Sequence, residues 1–180
     1  YDYLYTGDSR SLEASYDILK ARTLLQLREK NGLISTTTGL QTDAFLKSIR
    51  FKDKIRDIVD WPHTGILGLG KQEGGESDGF VFTDYNAVTN AWHYEALKLM
   101  GRIAGVLDKA EEAAFFTSES EAFRKLYTRS FFNARKGYFI DGLAADTEHA
   151  SLHGNMFPLT FDLVPAGKKE GIARFLQTRG

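Results

Sequence analysis

A chain of 180 residues, 42% hydrophobic and 26% charged, can bury a sizeable core and falls within ordinary globular limits. Its 23 basic and 24 acidic residues are mixed along the sequence for a net charge of −1, so no footprint for a phosphate backbone exists and nucleic acid is not an expected partner. The absence of cysteine removes disulfides, thiolate metal sites and cysteine nucleophiles together, and no apolar run reaches the roughly 18 to 20 residues of a membrane span.

The opening YDYLYTGD reads as the last turn of a helix closing on Gly7. Ser11 is placed to cap a helix from Leu12 to Lys30, whose Leu12, Tyr16, Leu19, Leu24 and Leu27 roughly follow three-four spacing, with Gly32 as its stop. A short helix follows Thr42, from Asp43 to Arg50. The connection from Phe51 to Phe82 is long and glycine-rich, as functional or mobile loops are, yet it contains no GxGxxG or GxxxxGK[ST] phosphate motif. Thr83 or Asp84 then caps the longest helix, through Leu107, and a partner helix runs from Lys109 to Asn133. Gly137 precedes a short extended piece, YFIDG. A further helix starts near Thr147 or Glu148 and reaches Leu163, bent where Pro158 lacks a backbone donor, and Pro165 precedes a last helix from Lys168 to Gln177.

KNGLIS and RKGYFI form an internal echo: a basic helical end, a glycine, then apolar residues entering an extended stretch. Repeated helix pairs of this kind predict an all-α fold, part of an (α/α)6 toroid of paired antiparallel helices rather than a bundle. Both ends of the chain break off abruptly, which predicts that residues 1 to 180 are a single partial domain cut from a longer protein.

The two inner helices have polar starts and apolar ends. At about 100° per residue, Asn86, Thr89, Asn90, Leu97, Met100 and Ala104 fall on the His93 face, opposite Glu95, Lys98 and Arg102. A helix that only fills a core does not need Asn90 and His93 on its buried stripe, whereas a helix end lining a cavity does. Taken alone, His93 reads better as a hydrogen-bonded core histidine. In EHASLHGN, a helix would place His149 and His153 on one face, again with the polar part first, so the two helix starts are predicted to line one cavity. The histidine pair does not make a metal site, because HASLH is not HExxH and no third ligand is placed. Trp92 reads as a core residue between helices, with no chemistry assigned.

KIRDIVDWPHT sets Asp57 and Asp60 around an apolar pair and ends on a tryptophan held by a proline. Trp61 offers a flat apolar face beside carboxylate acceptors, which suits a sugar ring, and it is equally able to plug a core with Pro62 orienting the chain.

The segments IRDIVDWPHTG, DGFVFTDYNAVTNAWHYEALKLMGRIA and EHASLHGNMFPLTFDLVP resemble the catalytic domain of bacterial α-L-rhamnosidases, six-hairpin α/α toroids that hydrolyse rhamnosides. The resemblance extends from YTGD to the final helix. It implies that Asp60 and Trp61 lie at the sugar pocket and that the start of the EHASLH helix faces the same opening. The substrate-binding set is therefore Asp60, Trp61, Asn90, His93, His149 and His153, with no metal and no cofactor. It also implies an inverting mechanism, with one carboxylic acid and one carboxylate base. The family's acid motif precedes YTGD and its base follows the last helix here, so no catalytic residue is assigned within the chain, and Asp57, Asp60 and Glu148 gain no catalytic role. The expected partners are a rhamnoside and the remainder of the parent chain, in a periplasmic or secreted setting. A toroidal glycosidase or lyase for another sugar, and a noncatalytic helical interaction domain, are compatible alternatives.

Overall fold

Polar side chains that accept from backbone N–H groups set the starts of three helices. The computed structural model describes residues 2–60, 79–143 and 148–179. Trp61 and Pro62 lie outside them. Helix α1 (Asp2–Thr6) stops where Gly7 takes φ +71 and returns its N–H to the carbonyl of Tyr3. Helix α2 (Arg10–Ala21) is much shorter than the predicted Leu12 to Lys30. Leu24 turns to φ 64 and a 3₁₀ turn follows over Leu25–Leu27. That break lets Leu27 leave the helix and join Ile34, Phe45, Leu46 and Ile49 in a small core of their own. Helix α3 (Asp43–Ser48) begins as expected, with Thr42 Oγ1 accepting from Phe45 N at 3.2 Å.

Helices α4 (Ala87–Val106) and α5 (Ala110–Phe131) form the central antiparallel pair. The cap of α4 is Asn86, not Thr83 or Asp84; its Oδ1 accepts from Thr89 N at 3.0 Å. The main core runs between the two helices, from Ala91, Leu97, Met100 and Ala104 to Phe116, Phe123, Tyr127 and Phe131. Helix α2 is tied to α5 where Tyr16 Oη donates to Glu112, and burial together with that carboxylate pushes the Tyr16 hydroxyl up to about 12.

Strands β1 (Phe132–Asn133) and β2 (Tyr138–Phe139) pair antiparallel around Gly137, which has φ 78. Helix α6 (Leu152–Thr160) starts four residues later than predicted from Glu148 and ends before Leu163. Ser151 caps it, its Oγ accepting from Gly154 N at 3.0 Å. Pro158 stands inside α6, and α7 (Lys169–Gln177) closes the described chain.

KNGLIS and RKGYFI are both tight turns, which corrects the reading of each as a helix end: α2 stops at Ala21 and α5 at Phe131. Glu29 N donates to Leu33 O, Arg28 bridges Ile34, and Gly32 has φ 87. Behind each turn one buried asparagine clasps the chain. Asn90 Oδ1 accepts from Ile34 N at 3.0 Å, while its Nδ2 donates to Ile34 O at 3.0 Å and to Asn86 O at 2.9 Å. Asn155 repeats this with Phe139 N at 2.8 Å, Phe139 O at 3.0 Å and Ser151 O at 3.0 Å. In both cases the asparagine stands four residues after the helix cap and grips the second residue after the turn glycine. The described elements are therefore mostly helical, and two of their connecting turns share one fastening.

Candidate functional site

The N-terminal ends of α4 and α6 are held side by side. Ala87 N donates to Asp141 O at 2.8 Å, Leu143 N donates to Tyr85 O at 3.1 Å, and Asn86 bridges Gly142. Gly142 is required there, because a Cβ would sit 2.1 Å from Thr83 Oγ1. The polar starts of the two helices thus stand side by side.

Residues 55–60 lie across these ends as a strap. Thr89 Oγ1 donates to Asp57 Oδ1 at 2.8 Å. Val59 packs with Phe80 and Val88, with Phe157 of α6 against them. Asp60 Oδ2 stands 2.8 Å from His153 Nε2. Burial pushes the Asp57 carboxyl up from its ordinary value, against opposing hydrogen bonds from Thr89, Thr36 and Asn86. The acids of the KIRDIVDW segment each fasten the strap to the first turn of a helix, and Asp60 remains partly open to solvent.

His149 is not on the α6 face, because residues 148–150 precede the helix. Its Nδ1 stands 2.6 Å from Asp141 Oδ2. Asp141 is fully buried and receives three more donors: Val81 N at 3.0 Å on Oδ2, with Ser151 N at 2.8 Å and Ser151 Oγ at 2.7 Å on Oδ1. A fixed carboxylate at the start of α6 also complements the positive end of the helix dipole. Gly154 makes room for it, since a Cβ there would lie 2.7 Å from Asp141 Oδ1. His153, in the first turn of α6, is buried; among the described residues its Nδ1 has no hydrogen-bond partner. The two histidines thus turn to two different carboxylates. Glu148 is exposed and paired with Lys136 at 2.5 Å, which pulls its carboxyl down.

The α4 candidates have a different environment. Asn90 is fully buried and both its Nδ2 protons are used by backbone carbonyls, so its place is the clasp and not a cavity lining. His93 is 2% exposed, with Nδ1 2.5 Å from the carbonyl of Thr23 and its ring edge-on to Phe123 at 4.8 Å. Burial drives its pKa down to about 4, the Thr23 bond opposing and Arg28 assisting, so the ring is neutral, with its proton on Nδ1. His93 also borders a cavity of about 210 Å³ with Arg22, Asp57, Thr89 and Trp92. His149 and His153 do not line that cavity, which lies between α4, the strap and the chain leaving α2 at Arg22–Leu24. Trp92, expected in the core, is 51% exposed, with its ring against Phe157 and Phe161 at 5.4 Å and 4.8 Å.

The sequence model of the bacterial alpha-L-rhamnosidase 6 hairpin glycosidase domain matches residues 2–178. The chain belongs to this family. Comparison with individual curated proteins returns no match. A six-hairpin glycosidase domain is a carbohydrate-acting unit. Among the described residues no helix is long and apolar enough to cross a membrane. Asp141 and Asn155 went unmarked in the sequence. The signal for Asn155 was the cap-plus-four spacing shared by Asn86–Asn90 and Ser151–Asn155; a lone aspartate before glycine in YFIDG reads only as a turn.

Proposed function

We propose that this chain supplies part of the sugar pocket of an enzyme that hydrolyses terminal α-L-rhamnosides with inversion of configuration. The observation that carries the reading is the entrance to α6, where Asp60–His153 and Asp141–His149 set two imidazole–carboxylate pairs within a five-residue stretch and its partners. Such pairs present oriented donors and acceptors to ring hydroxyls, and Trp61, next to Asp60 in the sequence, supplies the apolar face. Family membership supports a glycoside as the ligand class.

Inversion requires a general acid and a general base roughly 6.5 to 9.5 Å apart on opposite faces of the sugar. Asp57 and Asp141 are committed to hydrogen bonds that fasten helix starts, and Asp60 is engaged by His153, so none of them is assigned to either role. The acid and base come from outside residues 1–180, in a domain that closes as an (α/α)6 toroid, with a periplasmic or secreted location. Asp60, Trp61, His149 and His153 form the binding set of this segment. Titration with free L-rhamnose tests it. The expected result is saturable binding, weakened about tenfold by His153→Ala or Asp60→Asn with helix content unchanged, the effect of losing one hydrogen bond to a charged group. Binding equal in both variants and the parent would remove these residues from the pocket, and preference for another sugar would replace the substrate.

A further inference from the structure

We propose that Asp141 is a positioning residue: it fixes the tautomer and the ring orientation of His149 so that Nε2 is the nitrogen turned toward ligand chemistry. This role rests on His149 belonging to the sugar pocket. Asp141 is 0% exposed and sits where the chain leaving β2 meets the starts of both α4 and α6. Four donors converge on its two oxygens. Val81 N–H and Ser151 N–H are backbone groups whose direction cannot reverse. Ser151 Oγ accepts from Gly154 N and so has its own proton to give to Asp141 Oδ1. The carboxyl is therefore surrounded by donors and acts as acceptor at Oδ2, and His149 Nδ1, 2.6 Å away, must carry the proton.

With Nδ1–H committed to Asp141, the neutral ring has its acceptor lone pair on Nε2. That edge faces Gly79, where a Cβ would come within 3.7 Å of Nε2. The orientation is held on the opposite side as well. His149 O accepts from Asp141 N at 2.9 Å, so backbone and ring of one residue are pinned to backbone and carboxylate of the other. The chemistry that suits the presented atom is a hydroxyl donor, such as a ring O–H of a neutral sugar.

Nitrogen-15 NMR of the imidazoles tests the assignment, because the chain has four histidines and His149→Gln identifies the signal. At a pH where the ring is neutral, the wild-type protein is expected to show His149 as the Nδ1–H tautomer. In Asp141→Asn a side-chain oxygen that keeps the two Ser151 donors puts the amide nitrogen in the Oδ2 place, where it loses the Val81 N–H bond and faces the ring, so His149 should switch to Nε2–H while the His93 signals stay in place. L-Rhamnose affinity should fall about tenfold in Asp141→Asn and in His149→Gln, and no further in the double variant, as two members of one interaction behave. Ser151→Ala, which removes a neighbouring bond to the same carboxylate, should leave the His149 tautomer unchanged. An Nε2–H tautomer in the wild type overturns the proposal even if Asp141→Asn does not fold. So does an unchanged tautomer in folded Asp141→Asn, or additive losses in the double variant. A wild-type protein with the Nδ1–H tautomer that binds no L-rhamnose overturns the sugar reading and leaves the positioning intact.

Discussion

At the start of α4, Asn86 caps the helix and Asn90 clasps Ile34; at the start of α6, Ser151 caps the helix and Asn155 clasps Phe139. Each clasp satisfies a backbone N–H and C=O that would otherwise be buried without partners, so the same device fastens two hairpin connections. The histidines beside these devices differ. His93 is packed between Phe123 and the Thr23 carbonyl, with burial holding it neutral. His149 and His153 are each engaged by a carboxylate, and both carboxylate partners, Asp141 and Asp60, come from segments that cross the helix ends. Two helix starts that look alike by polarity therefore divide the work: one closes over a buried histidine, the other holds two imidazole–carboxylate pairs, the groups proposed above to meet a sugar.

The sharpest way to break this comparison is to remove the shared part. Asn90→Ala and Asn155→Ala should each cost about 3 kcal/mol in urea unfolding, since both leave a backbone donor and acceptor unpaired in the interior. A large loss at one and none at the other would show that the two fastenings are not equivalent. At the α6 end, Gly154→Ala forces a Cβ to within 2.7 Å of Asp141 Oδ1. The expected cost is about 2 kcal/mol, whereas Gly105→Ala, with open space around its Cβ, should be near neutral or stabilising.

The α4 end has its own signature in pH. His93 is depressed to about 4 in the folded protein from an ordinary value of 6.5, so the unfolded chain binds the extra proton first. Its stabilising contribution is complete above pH ~6.5 and is lost as pH falls toward ~4, about 2 kcal/mol of it between pH 7 and 5. Asp57 works in the opposite direction, because a raised carboxyl favours the folded state as it protonates. Unfolding measured at pH 7 and pH 5 should therefore show a net loss that His93→Gln flattens; an unchanged slope in that variant would place the acid sensitivity elsewhere. The smallest stability effect belongs to Asp60→Asn, at most about 1 kcal/mol because the pair reaches solvent on the Asp60 side, although its effect on sugar affinity is expected to be large.

Sequence spacing located α3, α5 and α7 within about two residues, since caps and stops are local signals. It missed the end of α2 because Leu24 adopts a left-handed backbone in a break that brings Thr23 O to His93, a tertiary demand on a good helix sequence. It missed the start of α6 for a similar reason. Asp141, ten residues earlier and held by the backbone of α4, takes the Ser151 N–H, and Ser151 stands extended at ψ 169 as the cap. Asn90 was legible as a polar residue on a buried stripe, but not as a clasp, because its partner is 56 residues away. Asp60 and His153 were both marked from the sequence, yet nothing in their spacing said that they meet.

The most direct measurement is a titration of nitrogen-15 labelled protein with L-rhamnose, following the histidine side chains individually. The division of labour predicts that His149 and His153 shift saturably with one common affinity while His93 does not move. A shift of His93 with His149 and His153 silent would put the ligand in the α4 cavity and contradict the account.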